Sequence, residues 1–212
     1  LLADIRPPWD GIVEPFLRYL RDAREVNIYD FADAGDVPAE RFFTGCVAIP
    51  RAALGGLRFD EGYVAYGMED IDFGVELLGR GARMAFVPEA RVTHDYHPDF
   101  RSFLAKRRQA GRSLGYFLEK KPWRRHNFEF VGFFDKYGWA VKLLLAAARP
   151  LAILAEKRER LRCRPGPLGR FLYYWYKSKV RMEMHRGLCE YRAAAGNPQP
   201  ATQEIKPRRQ AA

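Results

Sequence analysis

Between residues 42 and 120 the chain is cut into short apolar runs by residues that end regular structure. Phe42 to Ile49 (FFTGCVAI) is an apolar run stopped by Pro50, the pattern of a buried strand. Residues 68–78 carry Ile71, Val75 and Leu78 at helical spacing and are stopped by Gly79 and Gly81. Residues 83–87 read as a strand stopped by Pro88, and 91–94 as a further short extended piece. A basic helix is predicted over 98–120. Strand, helix, strand, helix in this order means an α/β fold. Upstream, Ile12, Val13, Phe16, Leu17 and Leu20 predict a helix over 11–25, and residues 27–40 a polar loop.

The pattern changes after about residue 135. Residues 138–156 are apolar apart from Lys142, Arg149 and Glu156, which are spaced by seven and would form one narrow polar line on a helix. Pro150 should kink that helix. A second helix follows Gly169, led by Phe171, Tyr173, Tyr174, Trp175 and Tyr176. The expected organisation is an α/β part over 1–135, a helical, basic and aromatic extension over 136–195, and a polar, Pro-rich tail over 196–212.

Charge divides the 212-residue chain in the same way. Residues 1–100 hold ten arginines, no lysine and 18 acids, net −8, whereas residues 101–212 hold 26 basic residues and eight acids, net +18. An acidic half suits a site that handles a metal or activates a hydroxyl. A basic half suits a polyanionic partner, whether anionic lipid, nucleic acid or a phosphorylated substrate, or is simply a solvated surface. The chain is 48% apolar and 14% aromatic, which excludes wholesale disorder. No stretch of ~18 apolar residues runs without a charge. Cys46, Cys163 and Cys189 are odd in number and far apart, so neither a disulfide framework nor a zinc knuckle is indicated, and a reducing compartment is expected. The chain opens Leu1-Leu2-Ala3-Asp4, without initiator Met or basic leader, and reads as a segment of a longer protein.

The chemistry concentrates in Phe59-Asp60-Glu61, Tyr66-Gly67-Met68-Glu69-Asp70 and Val92-Thr93-His94. Glu69 and Asp70 fall at a helix start just after a glycine. The positive end of the helix dipole keeps a carboxylate there ionised, able to take a proton from a hydroxyl. His94 follows a strand, where its ring could face the same cleft and bind a divalent metal. Each part alone has a plainer explanation, the acids as a helix cap and the histidine as a structural residue. Their joint spacing, with the run FFTGCVAIPR before them, raises the functional reading.

This combination resembles the family 2 glycosyltransferases of the GT-A fold over about residues 40–120. Thr44 to Arg51 matches the family's Gly-containing turn with a basic residue. Phe59-Asp60-Glu61 and Gly67-Met68-Glu69-Asp70 match its aromatic-Asp-Glu and Gly-Glu-Asp elements. His94 closes the last core strand, and Arg107 to Ser113 lies in the basic helix that follows. The resemblance implies the C-terminal, acceptor-side half of a GT-A fold followed by a helical basic extension. It implies transfer of a sugar from a nucleotide-sugar donor to a saccharide or lipid-linked acceptor hydroxyl, with inversion. Asp70 would be the base and Glu69 its orienting neighbour. Thr44, Gly45, Asp60, Tyr66, Gly67 and Arg112 would bind acceptor or substrate. His94 would contact a divalent metal, Mn or Mg, on the donor diphosphate. A cytoplasmic location, at the inner membrane face, goes with this reading.

The departures are equally specific. The donor-binding half and its Asp-x-Asp strand end should come first, and nothing before residue 40 supplies them. Asp70-Ile71-Asp72 matches that text but sits at a helix start. Gln109 is followed by Arg112 and then Ser113, so the Gln-x-x-Arg-Trp motif of processive synthases is absent. A glycosidase needs carboxylates about 5–9 Å apart across a bond, which sequence neighbours do not easily provide. The rival reading is a non-catalytic basic module for nucleic acid or an anionic membrane surface. It leaves the acidic cluster unexplained, so it ranks second and nucleic acid is not the expected partner.

Overall fold

The computed structural model describes residues 2–6, 14–23, 37–93, 98–161 and 166–196. Helices dominate the described residues. Strand β1 (Leu2–Arg6) pairs in parallel with β2 (Phe86–Thr93), the one sheet among the described residues. Such a pair does not by itself establish the GT-A architecture. The two extended pieces expected on either side of Pro88 are one strand. Its register against β1 jumps from Ala3↔Val87 to Asp4↔Arg91, so a bulge takes up the proline, which has no N–H to give to a ladder.

Helix α1 (Pro15–Asp22) starts with proline in its first turn and buries Phe16, Tyr19 and Leu20. The expected residues 11–13, 24 and 25 of that helix, and most of the 27–40 loop, lie outside the described residues. The strand expected over Phe42–Ile49 is replaced by irregular chain. Thr44–Cys46 forms a 3-10 turn and Val47 makes a single bridge. Among these eight residues only Phe42 is fully buried. The apolar run is used piecewise, Phe43, Cys46, Val47 and Ile49 packing on a cluster of Phe42, Phe73, Leu77 and Met84. Helix α2 (Arg51–Leu54) is a single turn ended by Gly55 in the left-handed region.

Helix α3 (Glu69–Gly79) appears where it was expected. Helix α4 (Phe100–Lys120) begins at Asp99, whose carboxylate accepts the Ser102 N–H. The apolar segment forms α5 (Glu129–Ala147) and α6 (Arg149–Glu159), bent by 56° at the junction. Pro150 sits in the first turn of α6, where its missing N–H costs nothing, so it starts a new helix. The boundary expected at 135–136 falls inside α5. Helix α7 (Pro167–Ala194) carries the aromatic run, and the tail after 196 lies outside the described residues.

Helices α4 and α7 run side by side in the same direction. Phe100 meets Trp175 and Tyr176 at one end, and Glu119 accepts the Tyr191 hydroxyl at the other. Between them the backbones nearly touch at two glycines. A Cβ on Gly111 would lie 1.9 Å from the Met184 carbonyl oxygen, and one on Gly187 1.9 Å from that of Arg108. Only hydrogen fits at either place. Leu114, Phe117 and Leu188 are fully buried along this seam, each worth about 1.5–3 kcal/mol of apolar transfer.

Candidate functional site

The chain enters α3 through two residues with positive φ, Gly67 at 94° and Met68 at 74°. Gly67 is required twice over, since a Cβ there would also lie 2.9 Å from the Cβ of Ala110 on α4. Met68 is the only non-glycine residue with positive φ among those described, a backbone state costing about 1–3 kcal/mol. This turn presents Glu69, Asp70 and Asp72 in the first turn of α3, where the helix dipole favours negative charge.

Asp70 joins the two segments that carry the family resemblance. Thr44 donates its hydroxyl to Asp70 Oδ1 at 2.8 Å, and its backbone N–H approaches Oδ2 at 3.4 Å. Thr44 and Gly45 are exposed and Asp70 is half-buried, so the carboxylate stands where a hydroxyl from solution reaches it. Glu69 beside it is half-buried, and its Oε2 is buried with no hydrogen-bond partner. Burial first, then the neighbouring Asp70 charge, push the Glu69 carboxyl above its ordinary pKa, partly offset by backbone N–H groups of Glu69 and Gly67. Two adjacent carboxyls therefore sit in unlike surroundings, Glu69 with one oxygen buried and unpartnered and Asp70 held by Thr44.

Asp60, expected to contact substrate, is engaged within the chain. It accepts hydrogen bonds from Lys120, from the Gly62 N–H at 2.8 Å and from the Tyr116 hydroxyl at 3.1 Å. Lys120 foremost, then Gly62, hold its pKa down to about 2. Lys120 also reaches Asp72 at 2.6 Å. Buried Lys121 pairs with Asp72 and with Glu76. Two lysines at the end of α4 thus neutralise the loop and α3, and fix the helix that carries Asp70. These lysines, and Asp72 as their partner, were missed at the sequence level. The signal present there is a Lys-Lys pair closing a helix, but its partners lie 45 to 60 positions away, and spacing does not reveal that.

The other expected residues are placed as follows. Tyr66 is half exposed, with Lys106 Nζ 5.7 Å from its ring centroid. Arg112 gives both Nε and a terminal nitrogen to Glu190 Oε2, at 3.0 and 2.8 Å, and Arg108 holds the other Glu190 oxygen. The two guanidinium groups, Arg108 first, lower the Glu190 pKa. Arg112 lines a cleft of about 440 Å³ with Tyr63, Val64 and Tyr116, whose walls include neither Glu69 nor Asp70. His94, the expected metal contact, lies outside the described residues. Among the described residues no group of three or more His, Cys, Asp or Glu side chains could hold a metal ion.

Thr44, Gly67, Glu69 and Asp70 are brought to one place, whereas Asp60 and Arg112 are tied into ion pairs beside it. No family model matches the chain, and no curated protein or solved structure matches it.

Proposed function

We propose that this chain is the acceptor-side part of an inverting glycosyltransferase, with Asp70 as general base. The observation that carries this reading is the Thr44–Asp70 hydrogen bond. It draws the turn of residues 44–51 and the Gly-Met-Glu-Asp element into one site, the two segments on which the family resemblance rests.

In this reading the residues act as follows. Thr44 occupies Oδ1 of Asp70 and leaves Oδ2 the less engaged oxygen. Oδ2 takes the proton of the acceptor hydroxyl as that oxygen bonds to the anomeric carbon of the donor sugar. The bond from that carbon to the nucleoside diphosphate breaks, and its electron pair leaves with the diphosphate. Glu69 is the neighbouring residue that contacts and orients the acceptor. A base placed this way contributes about 10²–10⁴ in rate. Lys120 and Lys121 act as positioning residues, by way of Asp60, Asp72 and Glu76.

The test is release of nucleoside diphosphate by the intact protein from a panel of nucleotide sugars, with and without saccharide or lipid-linked acceptors. Release that requires an acceptor, and a product of inverted anomeric configuration, supports the reading. Acceptor-independent release, or a retained configuration, contradicts it.

A further inference from the structure

Helix α5 is apolar on two sides, and only one is covered. Val131, Phe134 and Leu145 are buried against the rest of the chain. On the other side Trp139, Leu143 and Leu144, continued by Leu151, Ile153 and Leu154 of α6, are 46 to 70% exposed. A helix apolar all round is one whose every face is meant to be covered, and contiguous apolar patches of this kind mark interaction surfaces.

The charges among these residues name what covers it. Residues 136–158 contain five basic residues, Lys136, Lys142, Arg149, Lys157 and Arg158, and one acid, Glu156. All five cations are exposed. Glu156 points the other way and accepts the Tyr176 hydroxyl at 2.7 Å. The face shown to solvent is therefore apolar and aromatic with cations only. A groove against α7 borders it, adding Tyr174, Lys177 and Arg181, with one acid, Glu129, in its wall.

We infer that this face of α5 and α6 lies on an anionic lipid bilayer, partly inserted in its interface. Leu and Trp side chains enter the acyl boundary while the long stems of Lys and Arg carry their charges back to headgroup phosphates and carboxylates. Trp139 and Tyr137 are the side-chain types that sit at headgroup level. A transmembrane course fits worse. No single described helix is long and apolar enough to cross, and the α5–α6 pair is bent by 56°. Lys142 and Arg149 would fall near the middle of such a span, where a cation is costly. A second copy of the chain fits worse too, since it would bring cations against cations.

Co-sedimentation of the full chain with phosphatidylcholine vesicles, with and without phosphatidylserine, tests this. Binding should be at least tenfold tighter to the anionic vesicles, with each cation near the surface worth about fivefold. The double substitution Lys142→Gln, Arg149→Gln should weaken it by about 25-fold. Leu143→Glu with Leu144→Glu should weaken it at least tenfold while helical circular dichroism stays unchanged, because both side chains are exposed. Asp70→Asn should bind vesicles like the parent, which separates this inference from the transferase reading. Equal recovery with both vesicle types, or none with either, overturns it. So does a lipid-free dimer that Leu143→Glu with Leu144→Glu dissolves.

Discussion

Thr44 Oγ1 and Asp70 Oδ1, 26 positions apart, are held at 2.8 Å. The bond explains why an apolar run with strand-like composition does not become a strand there. The chain turns at Thr44–Cys46 to reach the start of α3. A carboxylate held by one hydroxyl at 2.8 Å and by a backbone N–H only at 3.4 Å, at the positive end of a helix, is fixed in direction and keeps one oxygen less engaged.

Replacing Thr44 by Val should therefore act on both stability and turnover. The lost hydrogen bond to a charged but partly exposed group is worth about 1 kcal/mol, seen as a fall of a few degrees in Tm. Transfer should drop about tenfold in kcat with little change in KM, because Asp70 loses its orientation and not the acceptor its binding. Thr44→Ser should restore most of both.

The α4–α7 seam makes a prediction from glycine geometry alone. Gly187→Ala puts a methyl group 1.9 Å from the Arg108 carbonyl. The helices must separate, and the loss should be about 3 kcal/mol in denaturant unfolding. Gly132→Ala is the control. Gly132 lies in α5 with nothing near the position of its Cβ. That change should stabilise by about 0.5–1 kcal/mol.

The α5–α7 contact should respond to pH. His185 Nε2 lies 2.8 Å from Asp135 Oδ1, and Arg125 and Arg192 share the same carboxylate. Burial opposes a charge on the ring, but the Asp135 hydrogen bond outweighs it and raises the His185 pKa to about 9, from 6.5. A raised pKa gives stability that is complete below 6.5 and is lost as pH rises through about 9. Unfolding curves should show that loss between those values, and His185→Gln should flatten it. A parent chain whose stability stays level over this window would contradict the pairing.

Buried Lys121 should be costly to remove. Lys121→Met leaves Asp72, itself buried, with Lys120 alone, and should cost about 3 kcal/mol. Adding Asp72→Leu should recover part of that loss, since pairing two apolar groups removes the uncompensated charge. A single change that leaves the Tm untouched would show that this network does not hold α3 in place.

Local signals carried much of the helical framework. The spacing of Ile71, Val75 and Leu78 identified α3, and the basic run identified α4, because helix period and capping are local properties. The strand expected over 42–49 did not form, and the two extended pieces expected around Pro88 merged into one strand, both for non-local reasons. Phe42–Ile49 pairs only through the single bridge at Val47 and is tied to Asp70 at Thr44, while Pro88 was absorbed by a bulge against β1. In the site, Asp70, Glu69, Thr44 and Gly67 were legible because their motif segments are short and contiguous. The ties of Asp60 to Lys120 and of Arg112 to Glu190 were not, since they depend on a loop and a helix meeting across 60 positions and on two helices meeting across 78.

The measurement that bears most directly on the transferase reading is the turnover of Asp70→Asn in the intact protein. Asparagine keeps an oxygen for the Thr44 hydroxyl, so the Tm should stay within a degree or two of the parent. Only the ability to take a proton is removed, and kcat for sugar transfer should fall by about 10²–10⁴ at nearly unchanged KM. Turnover close to that of the parent, in a folded variant, would contradict the assignment of Asp70 as the base.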